Sequence, residues 1–521
     1  MSQYRYVMRV ALTVAMGGFL MGFDASVISG VVKFIEPQFD LSKIELGWAV
    51  SSLTLTATLA MMVSGPLSDR IGRRRVLFLA ATLYAVSAIA SALAPTFAVL
   101  VIARMIGGLG VGASLIIAPM YIAEIAPPKV RGRMVSFNQL NIVLGISAAF
   151  FTNYLILQLG QSDAGWARSL MLDEYNWRWM LGLETLPAVL YFFGLFFVPE
   201  SPRWLMLKGA EEEGREILAR AVGETEAREE LDEIRASLAR DAGREKVSVR
   251  ELFAPAMTLV LTIGVVVAIV QQITGINAVF FYAPMIFEQS GIGTDASFAQ
   301  AVLVGLVNLV FTIVAIAFID RVGRKPLLIL GLSGIAVAML VLSFGFSSAT
   351  YTITGDTLAN LPTEVAVPAV ADLQGTTFES DVEFKNALRG ALGDELATQY
   401  ESDLINSASS MHPWLVLFGV LGFVAAFAVS IGPVMWVLFS ELFPNRIRGI
   451  AISFVGLINS AVSFAVQLVF PWELANLGSA TTFLIYGIFA ALGLVFVLLV
   501  LPETKGRSLE ELETILVKDR A

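Results

Sequence analysis

Three ionisable side chains fall inside stretches that are otherwise apolar: Asp24, Arg104 and Glu184. A charge surrounded by hydrocarbon is expensive and marks a functional position by default. Counted at 1.5 Å per helical residue, each lies about 10 Å from the outer end of its stretch, so the three share a depth. An aspartate facing an arginine neutralises both charges. Protonating Asp24 would release Arg104, which could then turn to Glu184. A low dielectric and a competing carboxylate adjust an aspartate's proton affinity enough for it to titrate in use. The chemistry on offer is reversible proton carriage. The plainer alternative is a permanent ion pair that cements helices.

A second set of polar residues carries no charge. Gln139, Gln271, Gln272, Asn277, Asn308 and Asn459 also sit in apolar stretches. An amide both donates and accepts hydrogen bonds, which suits hydroxyl groups better than ions. Phe281, Tyr282 and Trp436 add aromatic faces on which a pyranose ring can stack. Thr274-Gly275 weakens the helix between these amides, as expected of a discontinuous helix lining a site. Any one of these residues alone is more often a helix–helix contact or a packing residue. Their concentration in the second half of the chain raises the signal.

The composition says what must hold them. Of 521 residues, 56% are hydrophobic and 15% charged, against about 25% charged in soluble domains. The apolar residues run in stretches of about 20, the length that crosses a bilayer as a helix. A soluble enzyme is excluded. Twelve spans are predicted, the first over 7–31 and the last over 480–501. The N-terminal stretch is too long for a signal-peptide core and lacks a clear small-residue cleavage site, so it is expected to remain as span 1. Of the 35 basic residues, Lys33, Lys43, Arg168, Arg178, Lys385 and Arg389 fall on one side, Arg104 falls within a span, and the rest share the side of both termini. By the positive-inside rule that side is cytoplasmic.

Other chemistries fall away. A net charge of −9 leaves no basic footprint for nucleic acid. With no cysteine, disulfides, thiolate metal sites and cysteine nucleophiles are impossible. The lone His412 cannot build a metal site by itself, and neither metal nor cofactor is expected. Gly108-Leu109-Gly110-Val111-Gly112-Ala113 imitates a dinucleotide-binding pattern, but it lies within a span with no strand before it and reads as close helix packing. No phosphate-binding Walker loop is present, which argues against an ATP-driven pump.

The chain also repeats itself. Asp69-Arg70-Ile71-Gly72-Arg73-Arg74 follows span 2, and Asp320-Arg321-Val322-Gly323-Arg324-Lys325 follows span 8. Glu124 with Arg131 follows span 4, and Glu441 with Arg448 follows span 10. The second pair is set farther apart by about the length of one polar stretch between spans 9 and 10. The predicted organisation is an N-terminal six-helix half over 1–199 and a charged, helix-favouring linker over 200–255. A C-terminal half follows over 256–347 and 413–501, interrupted by an extracytoplasmic insertion over 348–412, with a cytoplasmic tail over 502–521. Ser348 to Met411 hold ten acidic and two basic residues. There Ser380-Asp381-Val382-Glu383 is a capping-box pattern, and Phe384, Leu388, Leu392 and Leu396 follow at helical spacing. A tolerated surface insertion is the plainer reading of this stretch, and a lid or docking module the sharper one.

These features together resemble the sugar porter family of the major facilitator superfamily, over nearly the whole chain except 348–411. The motifs that carry the likeness are Gly65-Pro66-Leu67-Ser68-Asp69-Arg70-Ile71-Gly72-Arg73-Arg74, Pro199-Glu200-Ser201-Pro202-Arg203-Trp204, Gln271-Gln272-Ile273-Thr274-Gly275-Ile276-Asn277 and Pro502-Glu503-Thr504-Lys505-Gly506. The resemblance implies an all-α membrane protein whose two six-helix halves rock about a monosaccharide. It implies that Gln139, Gln271, Gln272, Asn277, Asn308, Asn459 and Trp436 bind sugar hydroxyls. It further implies that Asp69, Arg73, Glu124, Arg131, Glu200, Arg203, Asp320, Arg324, Glu441 and Arg448 form cytoplasmic latches between conformations. Asp24 matches the aspartate of proton-coupled members, which faces an arginine of span 4. Three positions depart from the pattern: Ser460 and Phe281, where an aromatic and a tyrosine are common, and Ile316, where the first motif copy has Gly65.

The expectation is a monomeric, non-enzymatic proton–monosaccharide symporter of a bacterial inner membrane, with sugar, proton and lipid bilayer as its partners and glucose or xylose as the sugar. A facilitative uniporter and a sugar sensor using the insertion remain the alternatives.

Overall fold

The computed structural model describes residues 2–128, 130–242, 248–360, 365, 368–444 and 446–505. Among them are 12 helices long and apolar enough to cross a membrane. Spans 1–6 are Tyr4–Gln38, Lys43–Ile71, Arg73–Ala92, Phe97–Ile125, Arg131–Gly160 and Asn176–Phe197. Spans 7–12 are Pro255–Glu288, Thr294–Ile319, Arg324–Ser347, Pro413–Leu442, Arg448–Asn476 and Ser479–Leu499. Every predicted span is present. Several run past their predicted ends, because hydropathy marks the hydrocarbon while the helix continues into the polar boundary.

Three spans are interrupted. Span 6 breaks between Asn176–Gly182 and Thr185–Gly194. Span 7 breaks between Thr258–Ile273 and Ile276–Glu288, at the predicted Thr274-Gly275, with Gly275 at φ 90°. Only glycine adopts that conformation without strain. The break in span 10, between Pro413–Val429 and Ile431–Leu442, was not expected from the sequence. Its cause is Pro433, which has no N–H for the preceding turn and whose ring crowds the carbonyl four residues back.

Two compact units result. One contains the chain up to Ser26, Ser52–Ala149 and Arg178–Ser248; the other contains Val27–Ser51, Phe150–Trp177 and the chain from Val249 on. The boundary therefore cuts through spans 1, 2, 5 and 6. In the first unit Val14, Val76, Tyr84, Ile117, Tyr121 and Tyr191 belong to one buried core. Span 4 approaches its neighbours through the glycines that imitate a nucleotide motif. A Cβ on Gly108 would lie 2.3 Å from the Leu53 carbonyl oxygen, and one on Gly112 would lie 2.1 Å from that of Ala57. Their spacing is that of small residues which let membrane helices touch backbone to backbone. Helices Pro202–Leu207, Glu211–Val222 and Glu224–Ala242 then form the linker, joined by Met206, Leu218, Ala227 and Leu231. Linker residues 243–247 lie outside the described residues, as do Gly506 and the tail beyond it.

In the second unit the insertion is a folded module. Strands Thr350–Thr352, Thr377–Phe378 and Ser409–Ser410 form a small antiparallel sheet with the first in the centre. Tyr351, Ile353, Phe384, Leu388, Leu404 and Ile405 fill its own core. Ser380 caps helix Asp381–Leu392, accepting from the N–H groups of Val382 and Glu383. The apolar series does not stay on one helix, however. Gly393, at φ 78°, ends it, and Leu396 belongs to the next helix, Asp394–Gln399. Glycine just past a helix end is the usual stop.

The span 4 crossing can be tested directly. Gly108→Ala and Gly112→Ala are each expected to destabilise the protein by about 1–3 kcal/mol through overpacking, read as a lower thermal unfolding midpoint in detergent. Gly65→Ala, where a Cβ meets nothing within 4 Å, is expected not to lower that midpoint.

Candidate functional site

The three intramembrane charges all belong to the first unit, and each is about 1% exposed. Arg104 Nη1 donates to Asp24 Oδ1 at 3.0 Å and to the Asp24 carbonyl oxygen at 3.3 Å. Glu184 sits in the break of span 6 and interacts electrostatically with both Asp24 and Arg104. Asp24 Oδ2, Arg104 Nε and Glu184 Oε1 have no hydrogen-bond partner among the described residues. Buried polar atoms without partners are rare and call for an explanation. Span 4 can come this close because residue 107 is glycine: a Cβ there would lie 2.6 Å from both Asp24 Oδ2 and Ser87 Oγ. The arginine thus grips one aspartate oxygen and leaves the other available.

The amides of the second unit form a continuous network. Asn459 Nδ2 donates to Gln271 Oε1 at 2.7 Å and to the Ala268 carbonyl at 2.9 Å. Gln272 Nε2 donates to Asn459 Oδ1 at 3.1 Å and to Gln271 Oε1 at 3.2 Å. Asn277 Nδ2 reaches Gln272 Oε1 at 2.9 Å and Ser463 Oγ at 2.6 Å, and Gln467 donates to the same Ser463 at 2.8 Å. The break at Gly275 makes this possible, because it sets Asn277 on a fresh helical segment facing back towards Gln272. Asn308 is buried on span 8. Phe281 is buried on the same segment as Asn277. Tyr282 is fully buried, giving its hydroxyl to the Gln467 carbonyl at 2.9 Å and its ring to Phe470. Trp436 is 49% exposed, edge-on to Phe439 and beside Gly456. Gln139 lies in the first unit and is exposed. Ser463 and Gln467 were missed by sequence reasoning. Their signal was four-residue spacing from Asn459, which puts all three on one helix face.

The repeated charges build two matching clusters. In the first unit Arg73 pairs with Asp69 at 2.7 Å and grips Glu124 through Nε and Nη2, both at 3.1 Å. Glu200 accepts from the backbone N–H groups of Arg73 and Arg74, at 3.0 and 3.1 Å, and Ser201 bonds Glu124. Burial raises the Glu200 carboxyl above its ordinary range, opposed by the N–H groups that bind it. In the second unit Arg324 pairs with Glu441 at 2.8 Å, Glu503 accepts from the backbone of Arg324 and Lys325 at 3.1 Å each, and Thr504 bonds Glu441. Arg131 and Arg448 each donate to a carbonyl five residues back, in Ala126 and Phe443. Arg203 donates to Ser237. The side chain of Asp320 lies outside the described residues. Glu503 was not among the expected latch residues, although Pro502-Glu503-Thr504 repeats Pro199-Glu200-Ser201.

Comparison with known proteins identifies the family. A family model described as sugar (and other) transporter matches residues 10–358 and 396–516, leaving out the middle of the insertion. The chain is 35% identical over 513 residues to an arabinose-proton symporter of Bacillus subtilis (strain 168), covering 98% of this chain and 96% of the relative. It is 35% identical over 543 residues to a D-xylose-proton symporter of Escherichia coli (strain K12), with the same coverage. An inward-open structure of the E. coli xylose transporter XylE matches with a TM-score of 0.74 at 32% identity, covering 98% of this chain and 100% of that one. With twelve spans, a duplicated charge motif and these relatives, the chain belongs to the sugar porter family of the major facilitator superfamily and is a multi-pass transporter, not an enzyme.

Proposed function

We propose that the protein is a proton-coupled monosaccharide symporter of a bacterial inner membrane, with both termini in the cytoplasm. The observation that carries this reading is the single-toothed contact of Arg104 with Asp24, with Glu184 interacting with both. A proton arriving on Asp24 cancels the aspartate charge and leaves Arg104 needing a counter-charge, which Glu184 supplies. That exchange moves span 4 against spans 1 and 6 and couples proton uptake to alternating access. Reversal on the cytoplasmic side returns the proton.

The sugar contacts are assigned to Gln271, Gln272, Asn277, Asn308 and Asn459 of the second unit, and Gln139 of the first unit is a further candidate. Phe281 and Trp436 present apolar faces to the ring, while Tyr282 acts as a packing residue that fixes the bend in span 7. Relatives named for arabinose and xylose make a pentose or a similar aldopyranose the favoured substrate. The motif charges Asp69, Arg73, Glu124, Arg131, Glu200, Arg203, Asp320, Arg324, Glu441 and Arg448 hold the cytoplasmic helix ends in one arrangement per conformation.

Two measurements test this. In liposomes holding a pH-sensitive dye, xylose, arabinose or glucose added outside is expected to acidify the lumen. Each unit of imposed pH gradient should then support about tenfold sugar accumulation at one proton per sugar. Asp24→Asn is expected to abolish acidification and accumulation while exchange of labelled for unlabelled sugar continues. Sugar entry without acidification would identify a uniporter, and binding without entry a sensor. Asn459→Ala, which takes one of the two partners from Gln271 Oε1 and from Gln272 Nε2 and leaves them only each other, is expected to weaken sugar binding by about 10–100-fold, read by titration calorimetry.

A further inference from the structure

The insertion contains only two basic residues, Lys385 and Arg389, and Lys385 is turned inward and about 5% exposed. Its Nζ donates to Gln289 Oε1 at 2.6 Å and pairs with Glu401 Oε1 at 3.2 Å. Glu401 Oε2 lies 3.8 Å from Lys43 Nζ, and Lys43 also pairs with Glu36. A second contact stands apart from this chain: Lys33 Nζ pairs with Glu288 Oε1 at 2.6 Å and bonds Thr294. The module is anchored at a third place by Asp381, whose Oδ2 accepts from Ser479 N and Oγ at 3.0 Å each, at the start of span 12. All these residues lie in the second unit.

Lys33 and Glu36 end span 1 and Lys43 begins span 2, so these three belong to the N-terminal half in sequence. Glu288, Gln289, Lys385 and Glu401 belong to the C-terminal half. The contacts between the two sets are ionic and largely buried. Such a pair adds little net stability, because its attraction is offset by lost hydration. For the same reason it parts without exposing apolar surface, since water solvates each separated ion. An apolar seam does not part so readily.

We propose that Lys33–Glu288 and Lys43–Glu401–Lys385 are the two clasps of an extracytoplasmic gate, with the insertion as the strap that carries one of them. This rests on the alternating-access reading above. The clasps hold the outer ends of spans 1 and 2 against span 7 and the insertion, and they must open before sugar enters from outside. Burial would raise the Glu401 carboxyl, but Lys385 and Lys43 outweigh it, with help from Arg389, and hold it at about 2. Lys43 is shared with a second carboxylate, Glu36, so Glu401 rests on Lys385 as well.

The absence of cysteine gives a clean assay. Ser51, fully buried one turn along span 2 from Trp48, is replaced in a Ser51→Cys reporter. Its labelling by a membrane-impermeant maleimide from outside is timed without sugar or proton gradient, so the result does not depend on whether the protein is a symporter. Glu401→Gln and Lys33→Gln are each expected to speed labelling by about tenfold, the response of a biased two-state gate. The swapped pair Lys33→Glu with Glu288→Lys is expected to restore the slow rate. If Glu401→Gln loses its fold by thermal unfolding, Glu288→Gln supplies the same reading. Unchanged labelling in folded variants, or a swapped pair as fast as the single variant, overturns the proposal.

Discussion

A guanidinium does not lose its proton in a protein, and Arg104 is buried among apolar helices. It must therefore be faced by a negative charge at every moment of any cycle the protein performs. Two carboxylates are within electrostatic reach, Asp24 and Glu184, on different helices. Much of the first unit follows from that demand. Glycine at 107 lets span 4 approach Asp24, and the break in span 6 brings Glu184 into the interior. A lysine could have solved the problem by turning neutral. Arginine cannot, so its compensation has to come from one of these two carboxylates.

The second unit has the contrasting design. Between spans 7 and 11 its interior is polar without being charged, and Gln271, Gln272, Asn277 and Asn459 bond one another, a serine hydroxyl or a backbone carbonyl. A hydroxylated ligand would replace these contacts with equivalent ones, exchanging hydrogen bonds instead of breaking them. At the helix ends the two units are alike. Glu200 and Glu503 each bind the first N–H groups of the helix that begins at the repeated arginine, spans 3 and 9, where an anion meets both unpaired donors and the positive end of the helix dipole. The duplicated arginines then lock onto Glu124 and Glu441 within their own units.

What was legible in the sequence was what is written in one dimension. Twelve spans follow from runs of apolar residues, and the duplication from motifs in register. The break at Thr274-Gly275 was visible because glycine weakens a helix wherever it stands. The break at Ser430 was not, because Pro66 and Pro119 stand inside unbroken spans, so the presence of a proline does not by itself say whether a helix parts. Asn459 was visible as an amide in hydrocarbon, whereas Ser463 is too ordinary in a membrane helix to stand out without its partners. The sheet of the insertion rests on strands of two and three residues, too short to carry an alternating pattern. Nothing near residue 43 announces a partner at 401. Contacts of that kind depend on the packing of elements distant in sequence, which local patterns do not encode.

The long reach of the outer ion pairs also bears on how the molecule is made. Lys33 and Glu288 are separated by 255 residues, and Asp381 waits a further 98 for Ser479. On a ribosome adding about 5–20 residues per second, Lys33 stays without its partner for something between about ten seconds and a minute. During that interval the first helices are already in the lipid. A lysine at a helix end can bridge the wait by extending its ammonium towards the headgroups, which a shorter cation could not do. The choice of lysine at both 33 and 43 thus serves the unfinished protein as well as the finished one. The contact of Asp381 with Ser479 forms only when the last span docks, so the module between spans 9 and 10 gains its final anchor at the very end of synthesis.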